Sequence, residues 1–109
     1  MLVLMDLVKE GEFTLELVAQ KTAHSVADIF QIQDRGYLRE GYWADLAIID
    51  LEKPLKVEKS NLLYKCGWSP FEGHQFSSSI SKTFVSGQLV YADGAIIEGN
   101  PGQRMLFNR

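Results

Sequence analysis

The chain has 109 residues, of which 46% are hydrophobic, 23% charged and 11% aromatic, a balance that suits one globular unit and excludes disorder. A net charge of -3, with Lys and Arg scattered rather than clustered, excludes the basic stripe that a nucleic-acid surface needs. One cysteine, Cys66, excludes an internal disulfide and fits a reducing cytoplasm.

The first thirty or so residues have helical patterning. The opening MLVLMDLVKEG is too short to span a bilayer, and Asp6, Lys9 and Glu10 are charged where a signal peptide would not be. A cytoplasmic protein without a membrane partner is therefore expected. Gly11 is a natural stop for this first helix because it adopts positive φ cheaply. Thr14 is placed to cap a second helix carrying Leu15, Leu17, Val18 and Lys21. Ser25 is placed to cap a third, Val26 to Ile32, with Val26, Ile29 and Phe30 on one stripe. Leu2 to Val8 is apolar around most of its circumference, which predicts contact with a body larger than this chain.

From Asp34 the period changes. Ala44 to Asp50 is a nearly continuous apolar run, which reads as a strand covered on both faces, and Pro54 breaks the pattern. Glu58 to Lys65 reads as a short helix with Leu62 and Leu63 inward. Ser79 to Ser86 alternates as a strand, Ser86-Gly87 reverses into Gln88 to Tyr91, and Asp93-Gly94 reverses into Ala95 to Ile97. The result is a small antiparallel meander with a turn-rich tail, GNPGQRMLFNR. No linker separates helices from strands.

The sequence carries few candidates for chemistry. His24 and Asp28 stand at i, i+4 on one helical face, and His74 lies in a Gly-flanked loop, EGHQF. A catalytic zinc commonly takes three protein ligands, so these two histidines read as surface or capping residues. Cys66 has no evident activating base and reads as a buried or half-buried inert thiol. Ser77, Ser78 and Ser79 lack a Gly-x-Ser-x-Gly turn. Asp45 and Asp50 fall near opposite ends of one strand, and Gly36 and Gly41 match no phosphate-binding pattern. Trp43, Trp68, Phe71 and Phe76 read as core or interdomain packing aromatics, with Pro70 stiffening the Trp68–Phe71 corner.

The segment GYLREGYWADLAIID, residues 36–50, resembles the C-terminal signature of the metal-dependent amidohydrolases, "G-x-I-x-x-G-x-x-A-D-L-V-x-x-D". Downstream, Ser69-Pro-Phe-Glu-Gly73 and Thr83-Phe-Val-Ser-Gly-Gln-Leu-Val-Tyr91 are similar to the "SPF-x-G" turn and "T-x-V-x-G-x-x-V-Y" hairpin of dihydroorotases and related cyclic amidases. The ending Gly102 to Arg109 resembles dihydroorotase tails of the "R-L-x-F-x-R" kind, and residues 11–19 resemble the family's last helical stretch. Ala23-His-Ser-Val-Ala27 departs from the Asn-Pro-Ala that most relatives have there.

This resemblance implies an α+β fragment: residues 1–33 as closing helices of a TIM-like barrel, and residues 34–109 as a small antiparallel β appendage with a C-terminal tail. It implies a parent enzyme that uses zinc to activate water against a cyclic amide, for dihydroorotase the reversible hydrolysis of dihydroorotate to N-carbamoyl-aspartate in pyrimidine biosynthesis. The family's metal ligands lie upstream, so no catalytic, substrate-binding or metal residue carries onto this chain, and no cofactor is expected in it. The implied partners are the parent barrel and a small cyclic amide, with a homodimer left open. Met1 reads equally as a native, internal or artificial start. A hydantoinase, dihydropyrimidinase or allantoinase fragment is the runner-up within the class, and a non-catalytic interaction module the alternative outside it. If the chain folds alone, the β unit is expected to be better ordered than the first helix.

Overall fold

The computed structural model describes residues 1–99 and 102–108. Asn100, Pro101 and Arg109, part of the tail read above, lie outside the described residues. Helix α1 (Leu2–Lys9) ends as its sequence predicts. Gly11 takes φ +84°, and the amides of Gly11 and Glu12 donate back to the carbonyls of Val8 and Leu7, each at 3.0 Å. These paired bonds satisfy carbonyls that the helix end leaves free. Met5 is the one buried residue of α1, so most of its apolar circumference is incompletely covered.

Thr14 caps α2 (Leu15–Ala19), its hydroxyl oxygen accepting from the Leu17 amide at 3.1 Å. The break predicted at Ser25 does not occur. Instead α2 continues through a π-helical turn, Gln20–His24, into α3 (Ser25–Phe30), and Ser25 itself has helical angles. A hydroxyl inside a helix can turn back on its own carbonyls rather than cap, as Thr22 does by donating to Val18 at 2.8 Å. Helix α3 ends at Phe30 and not Ile32, because Gln31 turns left-handed (φ 54°). Gly36 then crosses close over α3: a Cβ there would lie 2.5 Å from Ala27 Cβ and 3.0 Å from the Ala23 carbonyl oxygen. Two small helix residues and a glycine make that approach feasible.

The strands are β1 (Leu46–Asp50), β2 (Leu55–Lys56), β3 (Gln75–Phe76), β4 (Ser79–Val85), β5 (Gln88–Ala92) and β6 (Ala95–Ile96). Four form an antiparallel sheet in the order β1-β4-β5-β6, and β2 and β3 form a separate antiparallel ribbon absent from the sequence reading. Both predicted reversals are present: Ser86-Gly87 and Asp93-Gly94 hold positive φ throughout, the geometry that suits a two-residue hairpin. The molecule is thus a small α+β unit with an antiparallel sheet.

Several local expectations are corrected. Strand β1 begins at Leu46, and Ala47 and Ile48 are exposed, so the strand is not covered on both faces within this chain. The expected helix over Glu58 to Lys65 is a single 3-10 turn, Lys59–Asn61, held by reciprocal Glu58 and Asn61 caps. One turn with little to pack against does not propagate, and Leu63 is exposed while Leu62 is half-buried. Of the four aromatics read as core or interdomain packing, Phe76 is buried within this chain, and Trp43, Trp68 and Phe71 are exposed. The buried apolar set is small: Met5, Val18, Ala27, Val57 and Phe76. The tail returns to the helices, where the Gln33 amide donates to Leu106 and the Asn108 amide to Gln31, each at 2.9 Å.

Candidate functional site

Among the described residues, three junctions bring the candidate polar side chains together with partners. The first surrounds Arg35, the one buried cation among the described residues. Its guanidinium donates to Asp45 Oδ2 and, at 3.2 Å, to the Gln103 carbonyl, and lies 5.5 Å from the centre of the Trp43 ring. Asp45 Oδ1 accepts from the Ser86 amide at 2.7 Å, and beside it the Gly87 amide donates to the Ala44 carbonyl at 2.9 Å. Asp45 therefore bonds an amide on the distant β4–β5 turn rather than one at its own strand start. A buried guanidinium requires such a partner, and here the pair ties the α3–β1 connection to hairpin and tail.

The second junction unites the i, i+4 pair read from the sequence. His24 stacks on Tyr37 with centroids 4.3 Å apart and planes 4° from parallel, while the Tyr37 hydroxyl donates to the Asp28 carboxylate at 2.9 Å. That hydrogen bond, with smaller help from partial burial, raises the phenol above its usual pKa. The Arg39 guanidinium lies 4.2 Å from the Tyr37 ring centre. His24 and Asp28 thus both serve to seat Tyr37.

The third junction joins His74, Asp6 and Ser77. Asp6 Oδ1 accepts from the Ser77 hydroxyl at 2.6 Å and the Ser77 amide at 2.9 Å, and His74 Nε2 lies 3.3 Å from Oδ2. The Ser77 donors, hydroxyl first, hold the Asp6 carboxyl below its ordinary pKa, partial burial opposes them, and His74 adds a smaller lowering. Sequence reasoning missed Asp6, although a single carboxylate in an otherwise apolar helical stretch is a signal that a donor must face it.

The remaining candidates stay apart. Asp50 accepts from the Glu52 amide at 3.0 Å, at the opposite end of β1 from Asp45. The hydroxyls of Ser78 and Ser79 are buried with no hydrogen-bond partner among the described residues. Cys66 is exposed, not half-buried, its loop lying over no core, and its thiol approaches the Trp68 carbonyl at 3.6 Å. Zinc needs converging deprotonated donors. Among the described residues no three His, Cys, Asp or Glu side chains converge, and both imidazoles already engage protein partners. This donor set does not fit the metal.

Among the described residues, an apolar trough of about 440 Å³ lies between helices and sheet, lined by Met1, Met5, Leu15, Val18, Trp43 and Leu46 among others. Its walls supply contact area and few polar groups. Among the described residues, no helix is long and apolar enough to cross a membrane.

Comparison with known proteins places this geometry. The model of the amidohydrolase family matches residues 5–91. An allantoinase of Desulfitobacterium hafniense is 37% identical over 96 residues, covering 88% of this chain and 21% of that protein. A dihydroorotase of Methanothermobacter thermautotrophicus is 32% identical over 97 residues, covering 89% and 22% respectively. Among solved structures, the L-hydantoinase (dihydropyrimidinase) of Arthrobacter aurescens superimposes with a TM-score of 0.74 at 30% identity, over 84% of this chain and 20% of that one. The chain spans about a fifth of the length of these relatives. With the family signature continuous from α1 to β5, the chain belongs to the amidohydrolase family.

Proposed function

We propose that this chain is the C-terminal, non-catalytic part of a cyclic amidohydrolase of the dihydroorotase type. Residues 1–33 are closing helices of the parent barrel, and residues 34–109 are its β appendage and tail. The observation that carries the reading is the likeness of nearly the whole of this chain to about a fifth of dihydroorotases and allantoinases, in a chain whose apolar trough and first helix are left open. Apolar surface of that kind gains about 25 cal/mol per Å² when covered. The rest of the enzyme is the natural cover. The parent would hydrolyse dihydroorotate reversibly to N-carbamoyl-aspartate, with zinc supplied by ligands outside this chain, in the cytoplasm.

A second reading has its own support. The allantoinase relative is 37% identical and the structural neighbour is a hydantoinase, so an allantoinase- or hydantoinase-type parent fits the same residues. Assaying the intact gene product with zinc against dihydroorotate, allantoin and hydantoin separates the two. Turnover of dihydroorotate is expected, and exclusive turnover of allantoin or hydantoin transfers the assignment. The 109-residue chain alone is expected to be inactive, and zinc-dependent turnover by it would overturn the non-catalytic role.

A further inference from the structure

Helix α1 is apolar except for its lysine end and one carboxylate in its middle, Asp6. Among the described residues, the hydrogen bonds seen between α1 and the β half converge on that carboxylate. Two of the donors, the amide and hydroxyl of Ser77, keep the same charge at every ordinary pH. The third is an imidazole, which is charged only when protonated. The rings of Phe76 and Phe71 flank it, with centroids 4.5 and 6.4 Å away, and limit where it can swing.

We propose that His74 is a proton-operated clasp on α1. Protonated, it closes an ion pair with Asp6 across 3.3 Å and locks the helix onto β3 and the loop before it. Neutral, it leaves Asp6 to the Ser77 donors, and α1 opens more often. Because Met5 of α1 lines the trough, each opening also removes part of that trough's wall. The charged groups nearest this corner in the chain are Asp6 and Lys9 of α1, Glu10 just past its end, Glu72 from the loop, and Glu52 from the β1–β2 connection. Among the described residues, only Asp6 is within ion-pair distance of His74. The pair is partly solvated, with side chains 49% and 21% exposed, so its effect is modest.

Amide hydrogen exchange on the intact gene product at about pH 6 and about pH 8 tests the clasp. After correction for intrinsic exchange, protection of the α1 amides is expected to be about twofold to fivefold higher at the lower pH. Amides of β4 should not change between the two. His74→Gln should abolish the difference in α1, and Ser77→Ala should lower protection at both pH values while keeping the difference. Equal protection in the unmodified protein, a difference that survives in H74Q, or an identical change in β4 would each overturn the proposal.

Discussion

Replacing Asp45 with alanine tests whether the Arg35 junction holds the two halves of the chain together. The substitution leaves Arg35, a residue 7% exposed, without its carboxylate, and it strips the Ser86 amide of its acceptor. Removing one partner of a fully buried ion pair costs about 3–5 kcal/mol. The cost here is lower, because the Asp45 side chain is 36% exposed and Arg35 keeps the Gln103 carbonyl and the Trp43 ring. Discounting for that solvation, and adding about 1 kcal/mol for the orphaned amide, gives a loss of about 2–3 kcal/mol. For a slope of about 1.5 kcal/mol per molar urea, the unfolding midpoint falls by roughly 1.3–2 M. Asp45→Asn keeps an acceptor for Ser86 and should lose about half as much. The double variant Arg35→Met/Asp45→Leu, which buries no lone charge, should recover part of the loss of Asp45→Ala. Urea unfolding of the gene product, followed by tryptophan fluorescence, reads all three, since Trp43 sits at the junction. A loss below about 0.5 kcal/mol for Asp45→Ala would show that the pair is a surface ornament and refute the reasoning.

Two further outcomes are expected. Gly36→Ala forces a side chain at φ +82° against Ala27 and the Ala23 carbonyl, whereas Gly41→Ala at φ +83° meets nothing within 4 Å. Thermal melts should show Gly41→Ala costing about 1–2 kcal/mol from backbone strain alone and Gly36→Ala costing clearly more; equal losses would contradict the close crossing over α3. The folded Asp6 carboxyl titrates below its ordinary value of 3.8, so its contribution is fully present above that value and fades as pH falls through the lower, folded one. Ser77→Ala removes the largest cause of that lowering, so melts taken from neutral pH down to strongly acid pH should show a smaller acid-linked loss in the variant, and an unchanged loss would refute the assignment.

Much of this chain was legible wherever the deciding interaction is local. Thr14 caps from three residues away, Gly11 closes α1 through carbonyls one turn back, and Ser86-Gly87 and Asp93-Gly94 reverse the chain within their own residues. The family signature is equally a local string, and it was readable for the same reason. Where two local options competed, the reading went astray: Ser25 had the chemistry of a cap, but the helix already in progress absorbed it through a π turn.

The sequence by itself thus determined the end of α1, the start of α2, the hairpin turns and the family. Only the tertiary structure decided that β1 lies against β4, that Asp45 answers Arg35 and Ser86, and that Asp6 meets Ser77 and His74. The physical reason is that pattern and propensity encode what each residue prefers within a turn or so of itself. Which distant donor meets a given carboxylate depends on how all the apolar faces settle at once, and several faces of this chain remain without a cover of their own.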